Sequence, residues 1–273
     1  MSGLRAPDVG PASLDPGITG KPSPAVTLNH VANERAPSRV LAVFAHPDDA
    51  EFTFGGTVAS WTSSGAEVVY VCVTDGSAGQ NQPGWTREAV AEVRQKEMRE
   101  AASILGVADV VFLGYVDGYL EVTLDLRRDL TREVRRFRPD LIVAPDPSHL
   151  WSRKRYINHP DHRAVGEAML AVVNPDAPSR PQFPELLDEG FEPFEVPELW
   201  LPTFEPEETD LVLDIGPVID KKVAALRAHD SQLKNMGTED IEPEVREHAE
   251  KLAEGREFRY GEGFRVFRLK EEG

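Results

Sequence analysis

Residues 44–51, FAHPDDAE, set an imidazole and two adjacent carboxylates directly after the apolar run RVLAV. These residue types hold divalent cations and move protons. Pro47 disfavours helix at His46 and can itself open a helical turn. His46 and Asp49 then share one face of that turn. An imidazole and a carboxylate on one face can grip a divalent cation, and zinc accepts both ligand types. Asp48 is rotated from Asp49 by about 100° if the turn is helical, so it lies close to such a cation without binding it. The same pattern returns at 159–162, HPDH, where His159 precedes a proline and His162 follows three residues on. His46, Asp49, His159 and His162 are thus up to four donors. A catalytic zinc usually keeps three protein ligands and a water, so one of the four has another task. A single HPDD can equally be a helix cap, because acids near a helix start are stabilised by its dipole; the second element favours the cation.

The flanking segments must bring the two elements together. RVLAVFA, AEVVYVCVTDG, DVVFLGY and DLIVAPD read as strands buried on both faces. Between them GGTVASWTSSG, WTREAVAEVRQKEMREAASILGV and LDLRRDLTREVRRFRPD read as helices, and HPDHRAVGEAMLAVV follows as another. This alternation predicts an α/β fold, a mostly parallel sheet with helices on both faces. In such a sheet ligands bind outside the carboxyl ends of the strands, where FAHPDD stands. Residues 174–209 break the rhythm with many Pro and Glu and predict long loops with one strand near ELWLPTF. DLVLDIG reads as a strand, PVIDKKVAALRAHDSQL and IEPEVREHAEKLAEG as helices, and FRVFRL as a terminal strand. Residues 1–36, rich in Pro, Gly, Ser and Ala, are expected to form a flexible tail, and 37–273 one domain.

Composition narrows the partners. The net charge of −17 repels phosphate backbones and disfavours nucleic acid and anionic membranes. No apolar run is long enough to predict a membrane span. The N-terminal residues do not read as a secretory signal. The single cysteine, Cys72, cannot form a disulfide within the chain and suits a cytoplasmic location as a core residue. There is no GxxxxGK[ST], GxSxG or HExxH, and no GxGxxG after the first strand, so P-loop, nucleophile-elbow and dinucleotide chemistries are not expected.

AHPDDAEFTFGG at 45–56 and HPDH at 159–162 make the sequence resemble the zinc-dependent N-acetylglucosaminyl deacetylase family, PIG-L or LmbE-like. TDGSAG at 74–79, the helix carrying Arg94 and Glu97, GYVDGYLE at 114–121 and KKVAALRAHDSQ at 221–232 resemble its weaker blocks, and the likeness runs over roughly residues 38–268. The resemblance implies a Rossmann-like fold with zinc held by His46, Asp49 and His162; Fe²⁺ or Co²⁺ also suits such a donor set. It implies Asp48 as the general base for the attacking water. It implies His159 beside the metal, helping the oxyanion or the leaving amine, with Asp161 supporting that histidine by a hydrogen bond. It implies that Arg94 touches substrate. Some members carry a tyrosine two positions before the first histidine of HPDH; here that position is Ile157, with Tyr156 beside it. Asp146 and His149, in the bulky loop 146–158, are further candidates for the pocket, as are Trp85 and Trp151. His229, within the last block, is divided between a pocket role and a structural one.

The expected reaction removes acetyl from an N-acetylglucosamine-type amino sugar or glycoconjugate, a small-molecule substrate. Two alternatives stand beside it: an amidase acting on a thiol conjugate or other non-sugar amide, and a metal-binding homologue without turnover. A homo-oligomer is expected from the resemblance and from the loop-rich 174–209 segment.

Overall fold

The structure, a computed structural model, describes residues 36–152 and 156–269; the side chains of Ser152 and Tyr156 also lie outside the description. The expected tail therefore falls, except for Ala36, outside the described residues.

The first half alternates as the sequence predicts: β1 (Arg39–Phe44), α1 (Asp49–Ser63), β2 (Glu67–Thr74), α2 (Arg87–Leu105), β3 (Asp109–Tyr115), α3 (Leu124–Phe137) and β4 (Leu141–Val143). A small antiparallel pair follows, β5 (Trp151–Ser152) with β6 (Tyr156–Ile157), and leads into α4 (Pro160–Ala171). The Pro- and Glu-rich segment opens within a π-helical turn, Val172–Asp176, and holds the short α5 (Glu185–Asp188) before β7 (Glu198–Thr203). Then come β8 (Leu211–Asp214), α6 (Ile219–Arg227), α7 (Asp230–Met236), α8 (Glu242–Leu252) and β9 (Gly261–Arg268).

The main sheet runs β3-β2-β1-β4-β7-β9-β8. Strands β3 through β7 in that order are parallel, and β9 is antiparallel to both β7 and β8. Side chains alternate faces along a strand. Leu41, Val43, Val69, Val71 and Val73 thus join Leu126, Leu130 and Val134 of α3 and Val165 and Met169 of α4 in one core. The alternate residues Val40, Ala42, Phe44, Val68, Tyr70 and Cys72 are also buried, and Phe44 meets Tyr70 edge-on at 5.1 Å. This two-sided burial explains the continuous apolar runs.

Three elements differ from the sequence reading. Helix α1 begins at Asp49, well before the Gly55–Gly56 pair expected at its edge, and passes through a non-helical Phe54 (φ −138°). Gly56 serves packing: a Cβ there would lie 2.9 Å from the Ile215 side chain. The helix expected over 217–233 is two, parted at Ala228–His229, where His229 has φ −82° and ψ 50°. The terminal strand starts earlier than FRVFRL, at Gly261, and lies between β7 and β8.

The chain order reverses at β1, which lies between β2 and β4. This switch point opens a crevice at the carboxyl ends of the strands. His46 follows β1, Asp75 follows β2, Asp117 follows β3 and Asp146 follows β4.

Candidate metal centre

Each donor is held by local backbone chemistry. Asp49 opens α1, and its Oδ2 accepts from the backbone N–H of His46 (2.8 Å) and Ala45 (3.1 Å). Its Oδ1 is thereby turned toward His162 Nε2, 3.1 Å away. His46 Nδ1 lies 3.1 Å from His162 Nε2 and 3.5 Å from Asp49 Oδ2. His162 sits in the first turn of α4, opened by Pro160 at its first position. His46, Asp49 and His162, distant in sequence, therefore converge as one group of donor atoms.

The donor set fits a small divalent cation. Zinc–ligand bonds of 2.0–2.1 Å imply donor separations of about 3.3 Å in a tetrahedron, close to the 3.1 Å from His162 Nε2 to both His46 Nδ1 and Asp49 Oδ1. A second group, on the opposite nitrogen of the same ring, joins His46 to Asp117, His159 and Asp161. His46 Nε2 lies 3.2 Å from Asp117 Oδ1 and 3.3 Å from Asp161 Oδ2. The Asp161 carboxylate already accepts from the N–H of Gly118 (2.8 Å) and Leu120 (3.3 Å). Asp117 Oδ2 accepts from Ala78 N–H at 3.0 Å. These two acids suit acceptance of a proton from Nε2, leaving Nδ1 to face the first group.

Charge is unbalanced here. Asp48, Asp49, Asp117 and Asp161 surround His46, with Arg94 as the nearest guanidinium. Burial alone would lower the His46 pKa, but Asp49, Asp117 and Asp161 outweigh it and push it up to about 12. Burial raises Asp49, yet the His162 and His46 imidazoles hold it well below the usual carboxylate range. A bound cation must therefore replace the His46 proton.

Asp48 stands apart from the donors. Its backbone has φ 121°, a region that costs a non-glycine residue about 1–3 kcal/mol. Arg94 holds this turn by donating to Pro47 O (2.7 Å) and Gly76 O (2.8 Å), while its Nη2 lies 3.1 Å from Asp48 Oδ2. Burial raises the Asp48 pKa and the neighbouring Asp49 charge adds to it, against the opposing pull of Arg94.

The other expected residues fall as follows. His159 caps α4, its Nδ1 accepting the Asp161 N–H at 3.2 Å. In the neutral ring that leaves the proton on Nε2, and burial together with His46 holds the His159 pKa below its ordinary value. The expected carboxylate bond from Asp161 to His159 is corrected: those groups are 3.9 Å apart, and the carboxylate is drawn to His46 and the backbone of the 118–120 loop instead. Arg94 is only 4% exposed and forms the wall of the site, with Nη1 3.8 Å from Asp117, rather than its mouth. The Tyr156 side chain lies outside the described residues, and Ile157 is exposed. Trp85, on a loop, and Trp151, in β5, are exposed, whereas Trp61 and Trp200 pack together in the core. Asp146 is bound by Arg265 at 2.6 Å and Ser148. A cavity of about 500 Å³ opens there, beside His149, Glu208 and Arg265, rather than over the cation donors. His229 is fully buried against Glu51, 3.2 Å away.

Two residues of this centre carry no expectation from sequence. Asp117 was visible as a lone acid in VDGY after a strand, and Asn158 as the residue preceding HPDH. Asn158 Oδ1 lies 3.2 Å from His162 Nδ1.

The family model described as GlcNAc-PI de-N-acetylase, PIG-L, matches residues 41–173, a span that holds every donor above. The chain is 32% identical over 228 residues to a diacetylchitobiose deacetylase of Thermococcus kodakarensis, covering 83% of this chain and 82% of the relative. It is 34% identical to a probable N-acetyl-alpha-D-glucosaminyl L-malate deacetylase 2 of Bacillus anthracis, covering 76% of this chain and 85% of the relative. Among solved structures, N,N'-diacetylchitobiose deacetylase from Pyrococcus horikoshii superposes with a TM-score of 0.77 at 33% identity, covering 85% of this chain and 84% of that one. With this family match, these identities over most of the chain and this superposition, the chain belongs to the PIG-L family of LmbE-like deacetylases.

Proposed function

We propose that the protein is a divalent-cation-dependent hydrolase that removes acetyl from an N-acetylglucosamine-type amino sugar or glycoconjugate. The observation that carries this reading is the convergence of His46, Asp49 and His162 with a fourth group, Asp48, left outside the donor set. Coordination alone has no use for a strained, buried carboxylate held by an arginine.

A bound cation, zinc in this reading, supplies Lewis-acid polarisation of the acetamide carbonyl and a more acidic water. The chain's residues do the rest. Asp48, with its raised pKa, accepts the proton of the attacking water as the oxygen bonds to the carbonyl carbon. His159 donates from Nε2 to the developing oxyanion. The C–N bond then breaks, and Asp48 returns its proton to the departing nitrogen, giving acetate and the free amine. Asp117 and Asp161 orient His46 through Nε2. Arg94 fixes the Asp48 carboxylate and meets those parts of the substrate that reach down to the wall between Asp48 and Asp117.

The substrate is a small N-acetylated molecule, as the names of the deacetylase relatives suggest. Among the described residues no helix is long and apolar enough to cross a membrane, and Cys72 is free and buried; both suit the cytoplasmic reading. Exposed Tyr119, Leu150, Trp151 and Ile157 on the loops after β3 and β4 suit an oligomer that covers them.

The test is acetate release from N-acetylglucosamine and N,N'-diacetylchitobiose by zinc-loaded and chelator-treated protein. Release that depends on the cation is expected. A loaded protein inert toward both sugars, yet active on a non-sugar amide, would overturn the substrate assignment.

A further inference from the structure

We propose that Asn158 is a positioning residue that selects which nitrogen of His162 is left free for the cation. The inference rests on the reading of His162 as a ligand. A ligating histidine must present an unprotonated nitrogen, and the partner of its other nitrogen fixes which one that is. His162 Nε2 faces Asp49 Oδ1 and His46 Nδ1. Its Nδ1 faces Asn158 Oδ1 at 3.2 Å.

Asn158 has no freedom to turn its carboxamide over. Its Nδ2 donates to the His149 carbonyl oxygen at 2.9 Å. The flipped amide would set oxygen against that carbonyl and NH₂ against Nδ1, so the Nδ1 proton would have no acceptor. With Oδ1 in place, Nδ1 carries the proton and Nε2 keeps its lone pair toward the cation donors.

The Asn158 backbone is held independently of its side chain. Asn158 N–H donates to the Leu150 carbonyl at 3.0 Å, and β5 pairs with β6 through the backbone. A bond that side chain alone makes to a ligand points to the ligand as its purpose. It also ties the segment before β5 to the cation site, because the carboxamide that orients His162 is held by the carbonyl of His149.

Asn158→Leu and Asn158→Asp in the full chain test this, with zinc affinity measured against a chromophoric chelator and His162 protonation read by ¹⁵N NMR. Asn158→Leu should weaken zinc binding by about 10–100-fold, the usual scale for an outer partner of a ligand. In the zinc-loaded wild type, His162 should carry its single ring proton on Nδ1. Asn158→Asp, which keeps the acceptor, should recover most of the affinity. Wild-type affinity in Asn158→Leu, or equal loss in both variants, would overturn the inference. Zinc retained by His162→Ala would instead remove the ligand assignment, whatever Asn158 does.

Discussion

Two of the clusters of buried charge among the described residues are built on opposite principles. Beneath α1, Lys222 Nζ meets Glu262 Oε1 at 2.6 Å and also donates to Phe52 O. Glu262 accepts from the N–H of Gly56 and Thr57 at 2.9 and 2.6 Å. That cluster is neutral, and the ammonium and both carboxylate oxygens have partners. Such a pair fixes one arrangement of the first helix against the sheet. At the carboxyl edge of the strands the balance is different. Four carboxylates crowd around His46, several of their oxygens are shared by one imidazole, and the peptide before the first helix is strained at Asp48. Burial of charge is therefore no sign of function by itself. A surplus of inward-facing donors of one sign is a better sign, because it suits a cation the chain does not itself supply.

The contrast can be broken most severely at the donors. His162→Ala or Asp49→Ala should lose bound zinc by elemental analysis and reduce deacetylation to background, while the far-ultraviolet circular dichroism stays native. A variant that keeps full zinc would refute its own assignment. Next in size is Asp48→Asn, which should bind zinc as the wild type does and lose on the order of 10²–10⁴ in kcat, the scale for a lost general base. Unchanged turnover would leave the strain at Asp48 without a purpose.

The neutral cluster should respond in stability rather than chemistry. Lys222→Met leaves Glu262 buried without its cation and should cost about 3–5 kcal/mol in denaturant unfolding. Adding Glu262→Gln, which removes the stranded charge and keeps an acceptor for backbone N–H, should restore part of that. If the double variant is no more stable than the single one, charge balance is not what this cluster provides.

The smallest effect is a pH dependence at Asp146. Burial raises its pKa, but Ser148 and Arg265 outweigh that and hold it below the ordinary value. A lowered folded-state pKa stabilises the fold above the unfolded value of about 4 and loses that contribution as pH falls through the folded value. The gap in Tm between wild type and Asp146→Asn should thus be widest near neutral pH and close below about pH 4. Parallel curves down to pH 3 would contradict the assignment.

Much of the parallel half was legible because its strands are apolar on both faces and its helices amphipathic. Both helix starts at Thr86 and Thr123 are capped by threonine side chains that accept from the residue three on, a signal present in sequence. The placement of β9 inside the sheet was not legible, since antiparallel pairing with β7 and β8 leaves no local trace in FRVFRL. The early start of α1 was hidden by a glycine pair, of which Gly56 is there for close contact with Ile215. At the site, His46, Asp49 and His162 could be nominated from two repeated tripeptide patterns and the strand end. Asp161 was found but given the wrong partner, because its carboxylate direction depends on a loop after β3 that only the tertiary fold brings near. Asp117 and Asn158 were overlooked for the same reason: each acts through an imidazole supplied by another part of the chain.

The most direct measurement is zinc stoichiometry by equilibrium dialysis of the wild type beside His46→Ala and His162→Ala. One tightly held ion per wild-type chain, absent from both variants, is the predicted result. Retention of that ion by either variant would show that the two histidines do not share it, and the hydrolytic centre described here would fall with it.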